Sequence, residues 1–504
     1  MMKNLFTFLL ITALAAMQTT VGQTSAGKCW SIDYDIWNIN QPRLHIDCGN
    51  NDVFNVGAEM TLEVWVRAYT FGENRKMMGK IASDGSVFNN GYDLGFQNLN
   101  VYAEIWNPAL QQIPYPNPGP IRQDSAFVHL ATTYSSNTNK LTDYVNGHMV
   151  AQVDVFPPNP ITANDAHFFI GAAPWDQLSF QFYGDMDEIR VWNVERSEAE
   201  LSEYMYKELK GVEAGLVAYY NFNMAHDTIV PDLGPYSNTG ELRNSDDPSW
   251  SWADSYAPVG DERMYDMLEP AAAWCGRTDD EFYAANTENG LSIFTDIKEK
   301  EFWKYLVFGY DGLTGTASDF APNDAPADFV RANRSWYLNN GGNVTSDVFF
   351  NLVHAAGGGS EIPSGEEANL YVLLYRSDDN SNFKAIAHPN QIFNENLIFN
   401  DRQLNDGYYC VGYASTEIPL EPSAVREEVF KDVTISPIPA HDFVIIQNAA
   451  GSRVSLFSIN GNEIYKKRML SDRQAIPTSD FDRGLYFLRL EKEGQLFTQK
   501  IIIK

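Results

Sequence analysis

The sequence predicts an all-β protein built from more than one sandwich, and three observations carry that prediction. Aromatic residues make up 13% of the chain and charged residues 20%, which suits half-buried pleated surfaces better than disorder or coiled coil. From Leu44 to Glu241, short runs of alternating polarity are separated by turn clusters, the pattern of a sandwich. The 504 residues exceed what one core usually supports, so roughly two to four domains are expected.

In chain order, Lys3, the apolar run Leu5 to Met17 and the small residues before Gln23 have the layout of a secretory signal, so residues 1–22 are expected to be removed. That run is short for a membrane span. Export makes the four cysteines legible as disulfides, and four allow three pairings. If domains fold separately, Cys29–Cys48 and Cys275–Cys410 are the favoured pairs. No Cys-x-x-Cys occurs and no two histidines fall at metal-ligating spacing, which leaves a thiolate metal site the poorer reading.

Thr61–Arg67 (TLEVWVR) puts Leu62, Val64 and Val66 on one face and Glu63, Trp65 and Arg67 on the other. Trp65 also calls for burial, so the core face stays open. Phe127–Tyr134 is a further strand, and Leu141–Val150 contains Asn146-Gly147, the preferred two-residue hairpin dipeptide. In Gly184–Trp192, period two sets Met186, Glu188, Arg190 and Trp192 on one face and Asp187, Ile189 and Val191 on the other. Ser197-x-x-Glu200 is a capping box, followed by Leu201, Tyr204, Met205 and Leu209 at helical spacing and Gly211 at the expected helix end. Gly215–Phe222 returns as a strand. Trp250–Asp261, rich in Asp, Pro and Ser, reads as a linker. Short strands resume between Glu262 and Ser415, and Glu417–Lys431 with its two prolines reads as flexible.

The formal net charge of -30 excludes nucleic acid as a natural partner. Residues 430–504 carry 11 Lys/Arg against 8 Asp/Glu, a change of sign that marks a separate module.

TLEVWV, FVHLATTY, YVNG, FYGDMDEIRVWNVERSEAEL and GLVAYYNF, in that order, resemble the laminin-G-like, concanavalin-type jelly roll of secreted bacterial proteins. The resemblance covers about Pro42 to Leu242. It implies two antiparallel sheets face to face and recognition of glycans or protein ligands, often with calcium, while some relatives are enzymes. RANRSWY, DVFFNL, YVLLYRSDD and DGYYCVGY are similar to a β-sandwich module found beside such domains in exported Bacteroidota proteins. Ile435-Ser-Pro-Ile-Pro439, Asn460-Gly461, Gly484-Leu-Tyr-Phe-Leu-Arg-Leu490 and Lys500-Ile-Ile-Ile-Lys504 resemble the type IX secretion C-terminal sorting domain, with Ile438 where Asn is usual. That resemblance implies transit across the outer membrane by the type IX machinery, then release or attachment to the outer cell surface.

The expected order is therefore a signal peptide (1–22), a laminin-G-like jelly roll (28–250), a second β-sandwich of unassigned role (262–415), a linker (416–431) and a small Ig-like sorting sandwich (432–504). Asp185 and Asp187 share a face and could act as a carboxylate pair. Glycosidases of this general fold use Glu-x-Asp-x-x-Glu, whereas here the spacing is Asp-x-Asp-Glu, and no hydrolytic nucleophile motif occurs. The bland reading has Asp187 accepting backbone hydrogen bonds at a bend and Glu188 paired with Arg190 on the surface, and it is preferred. For sugar binding, loop aromatics beside planar polar groups are needed; Trp106 with Asn107 and Trp175 with Asp176 fit. Similarity to pentraxins implies a calcium position at Glu73, Asn74, Asp176 and Gln177, calcium being the one candidate cofactor. The leading expectation is a secreted or surface-attached, non-enzymatic protein that binds a glycan or an extracellular protein. A structural surface component is the alternative, and a glycoside-active enzyme carries low weight.

Overall fold

Alternation along Glu59–Ala68 organises the first sandwich. Leu62, Val64 and Val66 enter a core between two sheets, while Glu63 and Trp65 on the opposite face are buried as well. The computed structural model describes residues 27–33, 44–69, 74–83, 88–97, 100–106, 126–155, 159–173, 180–247, 249–275, 283–286, 290–295, 297, 301–355, 362–420, 433–437, 440, 443–449, 452–458, 463–469, 473–478, 481–492 and 495–504. Contacts divide the chain into two compact units, Gln23–Leu420 and a second that holds Glu421–Lys504.

In the first unit, one sheet runs in the order Trp250–Asp254, Lys28–Ile32, Gly184–Trp192, Glu59–Ala68, Val128–Ser135, Lys140–Val145 and His148–Asp154, with Leu216–Tyr220 alongside Gly184–Trp192. The facing sheet runs Ile229–Val230, Gly240–Arg243, His45–Asp47, Phe169–Ile170, Arg75–Ser83, Phe88–Gln97 and Asn100–Trp106. The expected hairpin at Asn146-Gly147 is formed, both residues having positive φ. Trp250–Asp254 is not a linker: it pairs residue for residue with Lys28–Ile32 and closes the sheet edge. Its Trp250 and Trp252 pack against the first core, which explains why a segment rich in turn formers is ordered.

The second sandwich sets Leu268–Trp274, Tyr305–Tyr310, Trp336–Gly341, Gly407–Tyr413, Val330–Ala332 and Thr316–Ala317 in one sheet, with Tyr371–Arg376 beside Gly407–Tyr413. Its partner sheet holds Leu291–Thr295, Thr345–Asn351 and Asn396–Gln403. Period two splits the first of these sheets cleanly. Leu306, Phe308, Trp336, Leu338, Leu373 and Val411 fill the sandwich's own core, whereas Tyr305, Val307, Tyr337, Val372, Leu374 and Cys410 face away and join Cys29, Trp65, Phe127 and Tyr206 of the first sandwich in a third core.

That junction core makes the two sandwiches one unit. Trp65 and Trp274 meet edge to face at 5.7 Å, Trp274 Nε1 donates to Phe127 O at 2.9 Å, and the Arg67 guanidinium lies 4.1 Å from the centre of the Phe302 ring. Such aromatic contacts add about 0.5–1.5 kcal/mol per pair beyond the area they bury. The four thiols are free and buried, so the expected disulfides Cys29–Cys48 and Cys275–Cys410 are not formed. The pairing argument assumed separately folding domains. Instead Cys29 and Cys410 belong to the shared junction core, Cys48 lies in the first core and Cys275 in the second.

The capping box at Ser197 is present in both directions, yet the helix stops at Tyr204 instead of continuing toward Gly211. The carbonyls of Tyr204 and Lys207 accept from Arg190, and that of Met205 accepts from Trp65 Nε1. Oxygens that a longer helix would use internally are thereby committed to side chains of the adjoining sheet.

The unit holding Glu421–Lys504 contains a three-stranded sheet (Thr434–Ser436, Phe443–Gln447, Arg473–Pro477) and a four-stranded sheet (Glu463–Arg468, Arg453–Ser458, Gly484–Lys492, Gln495–Ile503) around a small aliphatic core. The expected turn at Asn460-Gly461 lies outside the described residues.

Candidate functional site

The Gly184–Trp192 strand builds the site through one irregularity. Its register against Glu59–Ala68 slips between Asp187 and Arg190, and Glu188 takes φ 53°, in the left-handed region a glutamate rarely adopts. This is a β-bulge, with one extra residue on one strand of the pair. Met186, Ile189 and Val191 therefore all face the core, and the expected grouping of Met186 with Glu188, Arg190 and Trp192 fails because the bulge breaks the period of two. Asp185 and Asp187 do share a face, as expected. Glu188 is buried, not at the surface, and accepts from Arg190 at 2.7 Å and from Tyr219 Oη at 2.8 Å.

Neither aspartate is free for chemistry. Asp185 accepts from Arg67 Nε at 2.6 Å and Tyr69 Oη at 2.8 Å, and Asp187 from the Glu188 N–H at 2.7 Å and Ser255 Oγ at 2.5 Å. Behind them Glu63 is completely buried. Burial alone would raise its pKa, but His129, 3.3 Å away, and the charges of Arg190 and Arg196 bring it down to about 2.

The bulge aims Glu188 at a small cleft of about 30 Å³ between the two sandwiches. The first sandwich supplies Glu188, Glu208 and Asn223, the connecting segment Val259, Gly260 and Asp261, and the second sandwich Tyr305, Asn339, Asn340 and Asp406. Gly260 is required where it sits, because a Cβ there would lie 2.6 Å from Met264 Cβ and 2.8 Å from Asn339 Oδ1. Glu208 accepts from Asn221 and Asn223, Asp261 from Tyr337 Oη and Asn339, and Asp406 from the Asn340 N–H. Burial, and then the Glu188 charge, raise Glu208 to about 7; burial, with Asp261 adding to it, raises Asp406 to about 6. The lining thus offers carboxyl groups, primary amides and a phenol, all suited to hydroxyl and amine ligands.

A second acidic group lies on the outer face of the other sheet. Asp93 and Glu104 oppose each other on neighbouring strands, and Lys76 Nζ bridges them at 2.8 and 2.7 Å. Burial, and next the neighbouring Glu104 acting against the Lys76 charge, leave Asp93 raised to about 8.

Of the residues singled out from sequence, Trp106 is a half-buried strand end opposite Gly91, and Asn74 immediately precedes Arg75 at the far end of the next strand but one. Gly91 pairs with Ile81 and Phe96 with Arg75, so about six residues, or about 20 Å, separate the two positions along the sheet. Asn107, Trp175, Asp176, Glu73 and Gln177 lie outside the described residues. Among the described residues no three acidic, His or Cys side chains are placed to hold a metal ion, and no helix is long and apolar enough to cross a membrane. Sequence reading did not find Glu208, Asp261, Tyr305 or Asp406. These sit in unrelated segments, and only the junction brings them together.

Residues 45–202 match the family model of the concanavalin A-like lectin/glucanases superfamily, laminin G type, and residues 434–504 match the secretion system C-terminal sorting domain. The chain therefore carries a laminin-G-like domain and a type IX sorting domain, which directs it through that machinery to the cell surface or the extracellular space. No curated protein matches it. Among solved structures, a presumed carbohydrate-binding protein from Bacteroides ovatus aligns at 21% identity and TM-score 0.35, over 47% of this chain and 62% of that one, less than two thirds of its length. A sialidase carbohydrate-binding module from Ruminococcus gnavus, bound to α2,3-sialyllactose, aligns at 13% identity and TM-score 0.28 over 35% of this chain and 93% of that one. A pentraxin from Limulus polyphemus aligns at 14% and 0.27 over 35% and 80%.

Proposed function

We propose that this is a secreted or surface-attached glycan-recognition protein, without enzymatic activity, that holds its ligand in the cleft between the two sandwiches. The observation that carries the reading is the cleft lining, in which carboxyls, three asparagines and a tyrosine from both sandwiches come together. Carboxylates and amides in fixed positions bond pairs of sugar hydroxyls, and the sorting domain delivers the cleft to where extracellular glycans are met. The superfamily to which residues 45–202 belong includes lectins by name, in keeping with this role. A non-enzymatic reading is supported by the engagement of Asp185 and Asp187 with Arg67, Tyr69 and Ser255. Trp106, Asn107, Trp175 and Asp176 are proposed as a secondary contact surface, and Glu73, Asn74, Asp176 and Gln177 as a separate calcium position.

The test is a glycan array probed with the full chain, followed by Tyr305→Phe and Asn223→Ala. Binding that falls at least fivefold in both variants supports the cleft. Binding lost in Trp106→Ala and unchanged in the cleft variants would move the site to the loops, and no binding to any glycan would favour a purely structural surface role.

A further inference from the structure

Lys76, Asp93 and Glu104 come from three consecutive strands of one sheet, Arg75–Ser83, Phe88–Gln97 and Asn100–Trp106. They stand on the face turned away from the sandwich core, yet the Lys76 and Asp93 side chains are completely buried and that of Glu104 nearly so. Lys76 Nζ lies 2.8 Å from Asp93 Oδ1 and 2.7 Å from Glu104 Oε2, so one amine touches both carboxyls at once. The other Glu104 oxygen accepts from Tyr102 Oη at 2.7 Å, and the centre of the Tyr102 ring lies 4.4 Å from Nζ. Two glycines leave room for this convergence, Gly79 opposite Asp93 and Gly95 opposite Lys76. A Cβ on Gly79 would lie 2.5 Å from Asp93 Cβ, and one on Gly95 would lie 2.2 Å from the Arg75 carbonyl oxygen and 3.1 Å from Lys76 Cδ.

Charge and hydrogen bonding point beyond a static ion cluster. Asp93 shares the Lys76 cation with a second acid, and its Oδ2 is buried with no hydrogen-bond donor among the described residues. A buried polar atom left unpaired is costly and rare in native proteins. Burial, with the Lys76 charge opposing it and the Glu104 charge adding to it, raises Asp93 to about 8, so near neutrality it is chiefly the uncharged acid. That is the form of a carboxyl that an amine can attack, since a carboxylate repels the nucleophile and has no ready leaving group. An amine fixed against a neutral carboxyl in a site closed to water is at an effective concentration that bulk solution cannot reach.

We propose that Lys76 and Asp93 condense into an intramolecular isopeptide bond, with Glu104 as the proton carrier. Glu104 takes one proton from the Lys76 ammonium through their 2.7 Å contact. The freed Nζ lone pair attacks Asp93 Cγ, the carbon bonded to the Oδ1 that already lies 2.8 Å away. A second proton then moves from the nitrogen to the carboxyl hydroxyl, which departs as water with its bonding pair. One Nζ–Cγ bond forms, one Cγ–O bond breaks, nothing is oxidised or reduced, and Glu104 ends as the neutral acid. The product replaces a buried ammonium and a half-satisfied acid by a neutral amide. It joins Arg75–Ser83 covalently to Phe88–Gln97 near the sheet edge, in an exported chain whose four thiols are all free.

The test is mass spectrometry of the full chain after unfolding and digestion with trypsin. The expected product is one branched peptide that joins the segments around Lys76 and Asp93, is uncut after Lys76, and falls short of the summed masses by one water. Lys76→Met should abolish it, and Glu104→Gln should lower its yield at a fixed time about tenfold or more. Asp93→Asn, with Glu104 intact, should keep the bond and lose ammonia in place of water, a signature that an ion cluster cannot give. Thermal unfolding checks that each variant is folded. Unlinked peptides from the unaltered chain overturn the inference whatever the variants do, and leave an ionic triad. A loss of water that persists in Lys76→Met reports dehydration elsewhere in the chain and overturns it as well. Undiminished yield in Glu104→Gln removes Glu104 from the chemistry and overturns the proposed proton route.

Discussion

Two buried acidic groups in one unit are handled in opposite ways. On the outer face of the sheet that holds Asn100–Trp106, Asp93 and Glu104 are held by Lys76, which is completely buried and 4.4 Å from the centre of the Tyr102 ring. At the junction, Glu208, Asp261 and Asp406 line an open cleft and have neutral partners only. The first arrangement is closed upon itself and adds specificity to the fold. The second stores unmet charge next to solvent, a costly arrangement for stability alone and a useful one for capture.

The contrast is most sharply broken at Lys76. Lys76→Met leaves two carboxyls buried without their cation, and urea unfolding is expected to show a loss of about 3–5 kcal/mol; a loss under about 1 would mean the triad is not a unit. The cleft should respond the other way. Glu208→Gln with Asp406→Asn removes two carboxyls raised by burial and by the neighbouring Glu188 and Asp261 charges, and is expected to stabilise by about 1 kcal/mol at pH 8, after discounting for solvent that reaches the cleft. If it destabilises instead, the acids are structural.

A smaller effect follows from the same groups in the unmodified chain. Glu208 and Asp406 bind protons more tightly folded than unfolded, so the stability they confer is full below the ordinary carboxylate range and is lost as pH rises through about 6 and 7. Glu63, held at about 2, acts oppositely, and its contribution disappears only as pH falls through that value. The melting temperature is therefore expected to be about 2 °C higher at pH 5.5 than at pH 8, and the difference to shrink in the double variant to what unreacted Asp93 and Asp143, raised to about 8 and 7 by burial, still contribute. Smallest of all, a reductant should leave the melting temperature unchanged, and four thiols should titrate on unfolding without reductant, since all four are free in the fold.

The fold was legible wherever one strand face is apolar. TLEVWVR announced both its inward face and, through Trp65, an outward face that also needed cover; that cover is Trp274 and Tyr206. The bulge was not legible, because Glu188 carries no glycine or asparagine to mark a positive φ. Nor was the end of the helix at Tyr204, which depends on Arg190 and Trp65 arriving from another strand. The disulfide expectation failed for a related reason, since sequence spacing cannot reveal that Cys29 and Cys410 face a shared core. The cleft combines residues from Glu188 to Asp406, none at informative spacing, so the chemistry became visible only once the junction was assembled.

Insertion of a single codon is the smallest heritable change that adds a residue to a strand. The extra residue at Glu188 turns an acid out of a plain sandwich face and toward a neighbouring domain, while the flanking apolar residues stay in register with their core. A chain without that residue would keep the same architecture and lose one wall of the cleft, so the lining can change in one step without rebuilding the scaffold.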